Sequence, residues 1–159
     1  MGSGKTTTAC ELAKLRGIKQ TDLDELLQDF SKKSINQIFS EDGEAAFREL
    51  EKTILKRVIT GKNQVIATGG GIVLSPENIQ QMRGSGTVIY LKTSFPALWQ
   101  RVKNSKERPL LKSKSPEALF HSIFDERTPL YESASHHCVI TDSKTPKQVA
   151  IEINETFFK

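Results

Sequence analysis

A chain of 159 residues, 36% hydrophobic and 26% charged, has the size and make-up of one soluble globular domain. Its formal net charge is +4 and its pI about 9.1, a mild basic excess that suits an anionic ligand; with no basic block interleaved with aromatics, no nucleic-acid partner is expected. Two cysteines without a CxxC pattern indicate neither a zinc pair nor a thioredoxin-type motif, no apolar run reaches the roughly 18 residues of a membrane span, and no signal-peptide core is present, so a reduced, cytoplasmic protein without membrane partner is expected; with no patterned interface helix, a monomer is expected.

The chain opens MGSGKTTT, where Gly4-Lys5-Thr6 match the last three positions of the phosphate-loop pattern G-x-x-x-x-G-K-[ST]. Gly2 and Gly4 let successive backbone N–H groups turn toward one anion, and a helix N-terminus just behind them adds its partial positive charge. Lys5 is placed to reach the β- and γ-phosphates, and the Thr6 hydroxyl to ligate Mg²⁺. Taken alone, the stretch also has a lesser reading, a flexible glycine-serine start with a chance GKT. The first glycine of the pattern, and the strand that feeds it, would fall before Met1. We therefore expect Met1 to be an internal methionine of a longer reading frame, and the first, central strand of the sheet to be absent from these 159 residues.

A helix is expected over Lys5–Arg16, ended by Gly17, then an extended stretch over Ile18–Thr21. Asp24–Phe30 reads as a helix. Ser34 and Gln37 form a capping box for a short helix over Ile35–Phe39, and Asp42 opens a long helix through about Ile59. Strands are expected at Gln64–Ala67, Thr87–Leu91 and Cys138–Thr141. Ser75, Ser115 and Thr145, each followed by proline, mark three helix starts, and Phe95–Val102 forms another helix. Lys103–Ser115 is polar and broken by proline, a loop in character. Short apolar strands alternating with helices indicate an α/β fold, a parallel sheet covered by helices on both faces, in a single domain.

Three further groups carry chemistry. Asp22 and Asp24 sit at alternate positions at the carboxyl end of a strand, where α/β sheets bind ligands. One carboxylate suits Mg²⁺ and the other a hydroxyl proton; either also reads as the cap of the next helix. Gly69-Gly70-Gly71 allow close backbone approach to a ligand, or form a plain turn. Arg48 and Arg127 read as surface charges or as forks for a substrate carboxylate.

In order, MGSGKTT, DLDELL, IFSEDGEAAFRELE, VIATGGGIVL, RPLL and ERTPLY resemble the shikimate kinases, from residue 1 to about 146. The resemblance implies the phosphate-loop kinase fold and phosphoryl transfer from MgATP to the 3-hydroxyl of shikimate. It implies that Gly2, Ser3, Gly4, Lys5, Thr6 and Thr7 hold the phosphates, with Arg101 and Pro146 near the adenine. Thr6 and Asp22 would organise Mg²⁺, and Asp24 would orient the hydroxyl as base. Arg48 and Arg127 would clamp the shikimate carboxylate, Glu51 would hold Arg48, and Gly69, Gly70 and Gly71 would line the substrate site. A lid at about 103–115 would bring in Arg108, and a helical region at about 24–60 would bind substrate. Two other readings stand beside this one: a gluconate-kinase-like enzyme, and a binding module that has lost catalysis.

Overall fold

A computed structural model describes residues 2–103 and 115–158. Gly4 ends the opening loop in the left-handed region (φ 80°, ψ 24°), which an L side chain rarely adopts, and α1 (Lys5–Arg16) starts at the next residue. Next come β1 (Lys19–Asp22), α2 (Leu23–Ser31), α3 (Ile35–Gln37), a π-helical turn (Ile38–Asp42) and α4 (Gly43–Val58). β2 (Gln64–Ala67), a 3-10 turn (Ile72–Leu74), α5 (Pro76–Ser85), β3 (Ile89–Lys92) and α6 (Phe95–Val102) follow. The chain closes with α7 (Pro116–Ala134), β4 (His137–Ile140) and α8 (Pro146–Phe157).

Where elements depart from the sequence expectation, a competing partner explains it. The Ser34–Gln37 capping box forms, yet the helix it starts runs on into the π-helical turn. Asp42 does not cap α4, because its carboxylate takes the Lys33 ammonium at 2.8 Å; α4 begins one residue later. β3 starts at Ile89 rather than Thr87. Val88 is diverted: its carbonyl accepts from the His136 amide at 2.8 Å and its own amide donates to His136 Nδ1 at 3.0 Å. The ladder therefore opens at Ile89 opposite His137.

The strands are parallel and flanked by helices, but they form two pairs. β1 pairs with β2 from Lys19 opposite Gln64 to Asp22 opposite Ala67. β3 pairs with β4 from Ile89 opposite His137 to Lys92 opposite Ile140. Between β2 and β3 lies a cavity of about 1210 Å³, lined by Ile66 and Thr68 on one side and Ile89 and Leu91 on the other, and reaching the opening loop. Among the described residues β2 and β3 each pair with a strand on one edge only. Val65, Ile66 and Ile89 accordingly stay half-buried, although apolar strands of a covered sheet ordinarily disappear from solvent.

Helix α1 packs on β1, β2 and α8. Three cores result among the described residues. One gathers Leu23 and Leu27 of α2 with Phe47, Ile54 and Leu55 of α4 beneath the 3-10 turn; another joins Leu12, Leu91, Val139, Val149 and Ile153; the smallest packs Leu98 and Val102 of α6 on Phe120 of α7. The first core fixes α2 and α4 against the loop after β2, and that places the site.

Candidate active site

The opening loop offers an anion site made of backbone. Helix α1 begins with no side-chain cap and no acidic residue in its first turn, whereas α2, α5 and α8 are capped by Asp22, Ser75 and Thr145. Its first-turn N–H groups and positive end are thus directed at the loop. Gly2, Ser3, Gly4, Lys5, Thr6 and Thr7 all line the large cavity. The Arg101 guanidinium donates to the Gly2 carbonyl at 3.2 Å. A second cavity, of about 260 Å³, is bounded by Gly2–Gly4, Arg101, Lys144 and Pro146. Arg101 and Pro146, distant in sequence, therefore flank the same space beside the loop.

Asp22, the last residue of β1, does two things at once. Its Oδ1 accepts from the amides of Asp24 (2.9 Å) and Glu25 (3.4 Å) and caps α2; its Oδ2 accepts from the Thr6 hydroxyl at 2.7 Å. The cap does not compete with the Thr6 contact, because each uses its own oxygen. Asp24 makes no cap. Its carboxyl group is pushed above the ordinary range, first by burial and then by the charge of Asp22, with Lys5 opposing. That carboxylate faces the glycine loop after β2: a Cβ built on Gly69 would stand 3.0 Å from Asp24 Oδ1 and 3.3 Å from Glu51 Oε1. A side chain at this position would crowd both carboxylates, which would have to give by a few tenths of an ångström.

Helix α4 delivers the arginine side of the site. Arg48 Nη1 pairs with Glu51 Oε2 at 2.9 Å, and its Nη2 and Nε reach Glu44 Oε1 at 3.1 and 3.3 Å. The guanidinium also lies over the Phe47 ring, 5.1 Å from its centroid. Glu51 is 1% exposed. Burial raises its pKa, and Asp24 adds to the rise, against the pull of Arg48 and Arg127. Gly71 meets Arg48 directly: a Cβ there would fall 2.5 Å from both Nη atoms. Helix α7 closes the far wall. The Tyr131 hydroxyl donates to the Gly70 carbonyl at 2.6 Å, and Arg127, one turn earlier, lines the same cavity. Arg127 Nε is buried without a hydrogen-bond partner among the described residues, so the guanidinium retains donor capacity inside the site.

The arrangement sets the half-buried Asp24 carboxylate between two anion receivers, a backbone loop with Lys5 on one side and two arginines on the other. That is a geometry for moving an anionic group onto a hydroxyl whose carrier is itself an anion.

The shikimate kinase family model matches residues 1–157. The chain belongs to the shikimate kinase family. It is 38% identical over 153 residues to the shikimate kinase of Thermodesulfovibrio yellowstonii, a match covering 96% of this chain and 88% of that protein. It is 37% identical over 159 residues to the enzyme of Caldanaerobacter subterraneus, covering 100% of this chain and 92% of that protein. Among solved structures, shikimate kinase from Acinetobacter baumannii in complex with shikimate superposes with a TM-score of 0.93 at 33% identity, covering 98% of this chain and 87% of that one. The Aquifex aeolicus shikimate kinase gives 0.84 at 38% identity, covering 96% and 89%.

Against this family frame, the sequence-derived residues divide simply. Lys5, Thr6, Asp22, Asp24, Arg48, Gly69, Gly70, Gly71 and Arg127 converge around the large cavity and the carboxylates beside it, with Arg101 and Pro146 flanking the smaller cavity beside the opening loop. Arg108 and the rest of 104–114 lie outside the described residues. Two contacts were not foreseen: the grip of Glu44 on Arg48, and Tyr131 on Gly70. Glu44 stands four residues before Arg48 on one helix, a spacing that was readable. The Tyr131 contact spans 61 residues and leaves no local signal.

Proposed function

We infer that the chain transfers the γ-phosphoryl group of ATP to the 3-hydroxyl of shikimate, releasing ADP and shikimate 3-phosphate. The observation that carries this reading is the place of Asp24, a half-buried carboxylate with raised pKa held between the Lys5 loop and the Gly69–Gly71 loop. Asp24 orients the acceptor hydroxyl and takes its proton as the oxygen bonds to the γ-phosphorus and the bond to the β-γ bridging oxygen breaks. Lys5 and the loop amides balance charge on the phosphates, and Arg108 adds to this. Arg48 and Arg127 bind the shikimate carboxylate, with Glu51 holding Arg48 in register. Arg101 and Pro146 border the adenine.

The Thr6 hydroxyl and Asp22 Oδ2 form a pair of hard oxygen donors, a chemistry that fits Mg²⁺, which keeps several waters and phosphate oxygens rather than a full protein cage. Mg²⁺ there would neutralise charge on the phosphates. A monomeric, cytoplasmic enzyme without nucleic-acid or membrane partner completes the reading; among the described residues no helix is long and apolar enough to cross a membrane.

The test is shikimate-dependent ADP release, with gluconate as control acceptor. Release with shikimate alone is expected. Release with gluconate instead assigns the acceptor site to a polyol acid. Shikimate binding without any turnover leaves a binding module.

A further inference from the structure

We propose that Tyr131 is a positioning residue for the acceptor, tying the Arg127 side of the site to the Gly69–Gly71 loop through its hydroxyl. The proposal rests on Arg127 being a ligand of the substrate carboxylate. The hydroxyl donates to the Gly70 carbonyl at 2.6 Å, the short end of the range for such bonds. Arg127 lies one helical turn earlier on α7, so this bond ties the helix turn that carries Arg127 to the glycine loop. A phenol has one proton to give, and here it is committed to the Gly70 carbonyl.

This has two consequences at the site. The Gly70 carbonyl is held toward α7, which keeps a competing acceptor oxygen away from the carboxylate of the substrate. The turn of α7 that carries Arg127, held to the loop by this bond, presents the guanidinium to the substrate from a fixed backbone. The ring itself is locked independently, stacked on Tyr90 with centroids 5.2 Å apart. Removing the hydroxyl alone therefore tests the positioning without removing the packing.

The experiment compares Tyr131→Phe, Arg127→Ala and the double variant with the parent enzyme. It measures kcat, the KM values for shikimate and ATP, shikimate Kd by calorimetry, and Tm. Tyr131→Phe is expected to raise shikimate KM and Kd by about three- to tenfold, the scale of one neutral hydrogen bond, with ATP KM and Tm nearly unchanged. In the Arg127→Ala background the same change is expected to add little, because the two residues act as a unit. An unchanged shikimate KM in Tyr131→Phe, beside a raised one in Arg127→Ala, overturns the proposal and leaves the carboxylate reading intact. A Tyr131→Phe effect of equal size in both backgrounds also overturns it. So does a fall in Tm with both KM values rising together, which is the mark of a structural prop. If Arg127→Ala itself leaves shikimate KM unaltered, the carboxylate reading fails and the proposal falls with it.

Discussion

The nucleotide side of the site and the acceptor side are held in different ways. Around the phosphate loop the recognising groups are backbone: an uncapped helix start, Gly4 in the left-handed region, and a carbonyl of Gly2 taken by Arg101. Around the acceptor, charged side chains hold one another: Arg48 is gripped by Glu44 and Glu51, and the Gly70 carbonyl by Tyr131. A phosphate is spherical in its demands and accepts from any N–H group, so backbone suffices. A ring acid with one hydroxyl to be chosen among several needs planar forks and a carboxylate in fixed places. The two sides should therefore respond differently to the same kind of substitution.

Asp24 joins the sides, and its loss is the largest expected effect. Asp24→Asn is expected to lower kcat by roughly 10²–10⁴-fold, the usual weight of a general base, with ATP binding retained. Steady-state kinetics with nucleotide titration checks this, and near-full kcat would remove Asp24 as the base. The pH dependence follows from the same carboxylate. Its pKa lies above the ordinary value of 3.8, so the acid limb of kcat/KM should fall at a pH above that value. Stability runs the other way. A folded-state pKa above the unfolded one means that the native chain binds this proton more tightly. Asp24 therefore favours folding below its unfolded pKa, and that contribution is lost as pH rises through the raised value. At neutral pH the ionised group burdens the fold, and Asn removes the burden. The Tm of Asp24→Asn at pH 7 should equal or exceed that of the parent; a marked fall would contradict the burial account.

Two glycine substitutions separate the sides directly. In Gly71→Ala the backbone is ordinary (φ −87°, ψ −4°), and the three atoms nearest the new methyl all belong to the far end of Arg48. The fold should survive and Arg48 should move. Shikimate KM is expected to rise by about tenfold or more, with ATP KM little changed. Gly4→Ala meets nothing closer than 3.9 Å, but it sits at φ 80°. The strain falls on the loop, of order 1 kcal/mol, and ATP KM should rise severalfold with shikimate KM spared. If both variants shift both KM values alike, the two sides are mechanically one unit and the contrast drawn above is wrong.

What the sequence disclosed follows this division. The backbone side was legible because glycines, a lysine and a threonine at fixed spacing leave few other uses, and Asp22 and Asp24 stand close to one another at a strand end. Even there the sequence left Asp22 as either cap or metal ligand; the fold allows both because a carboxylate has two oxygens. The acceptor side was legible in its residues but not in its couplings. That Gly71 touches Arg48 depends on how α4 packs under the 3-10 turn, and that Tyr131 holds Gly70 depends on the path of α7. Strand ends were misread for the same reason. Nothing local in Thr87-Val88 says that His136 will take both polar groups of Val88. The two strand pairs and the cavity between β2 and β3 are likewise a matter of packing, with no local signal in either strand.

The smallest effect sharpens the acceptor side most. Arg48 is shared between Glu51, which is buried, and Glu44, whose side chain is 63% exposed. An exposed pair four residues apart on a helix contributes only about 0.3–0.5 kcal/mol. Glu44→Gln should therefore leave Tm almost where it is. Its kinetic consequence is a question of competition. The face of the guanidinium that Glu44 occupies is the face a substrate carboxylate would need, since Glu51 takes Nη1. With Glu44 neutral, the substrate no longer displaces a charged rival, and shikimate KM should fall by about twofold, the scale of such a pair. A rise in KM would carry the opposite meaning. Glu44 would then be a second holder of Arg48 beside Glu51, and the substrate carboxylate would have to approach the guanidinium from the Gly71 side.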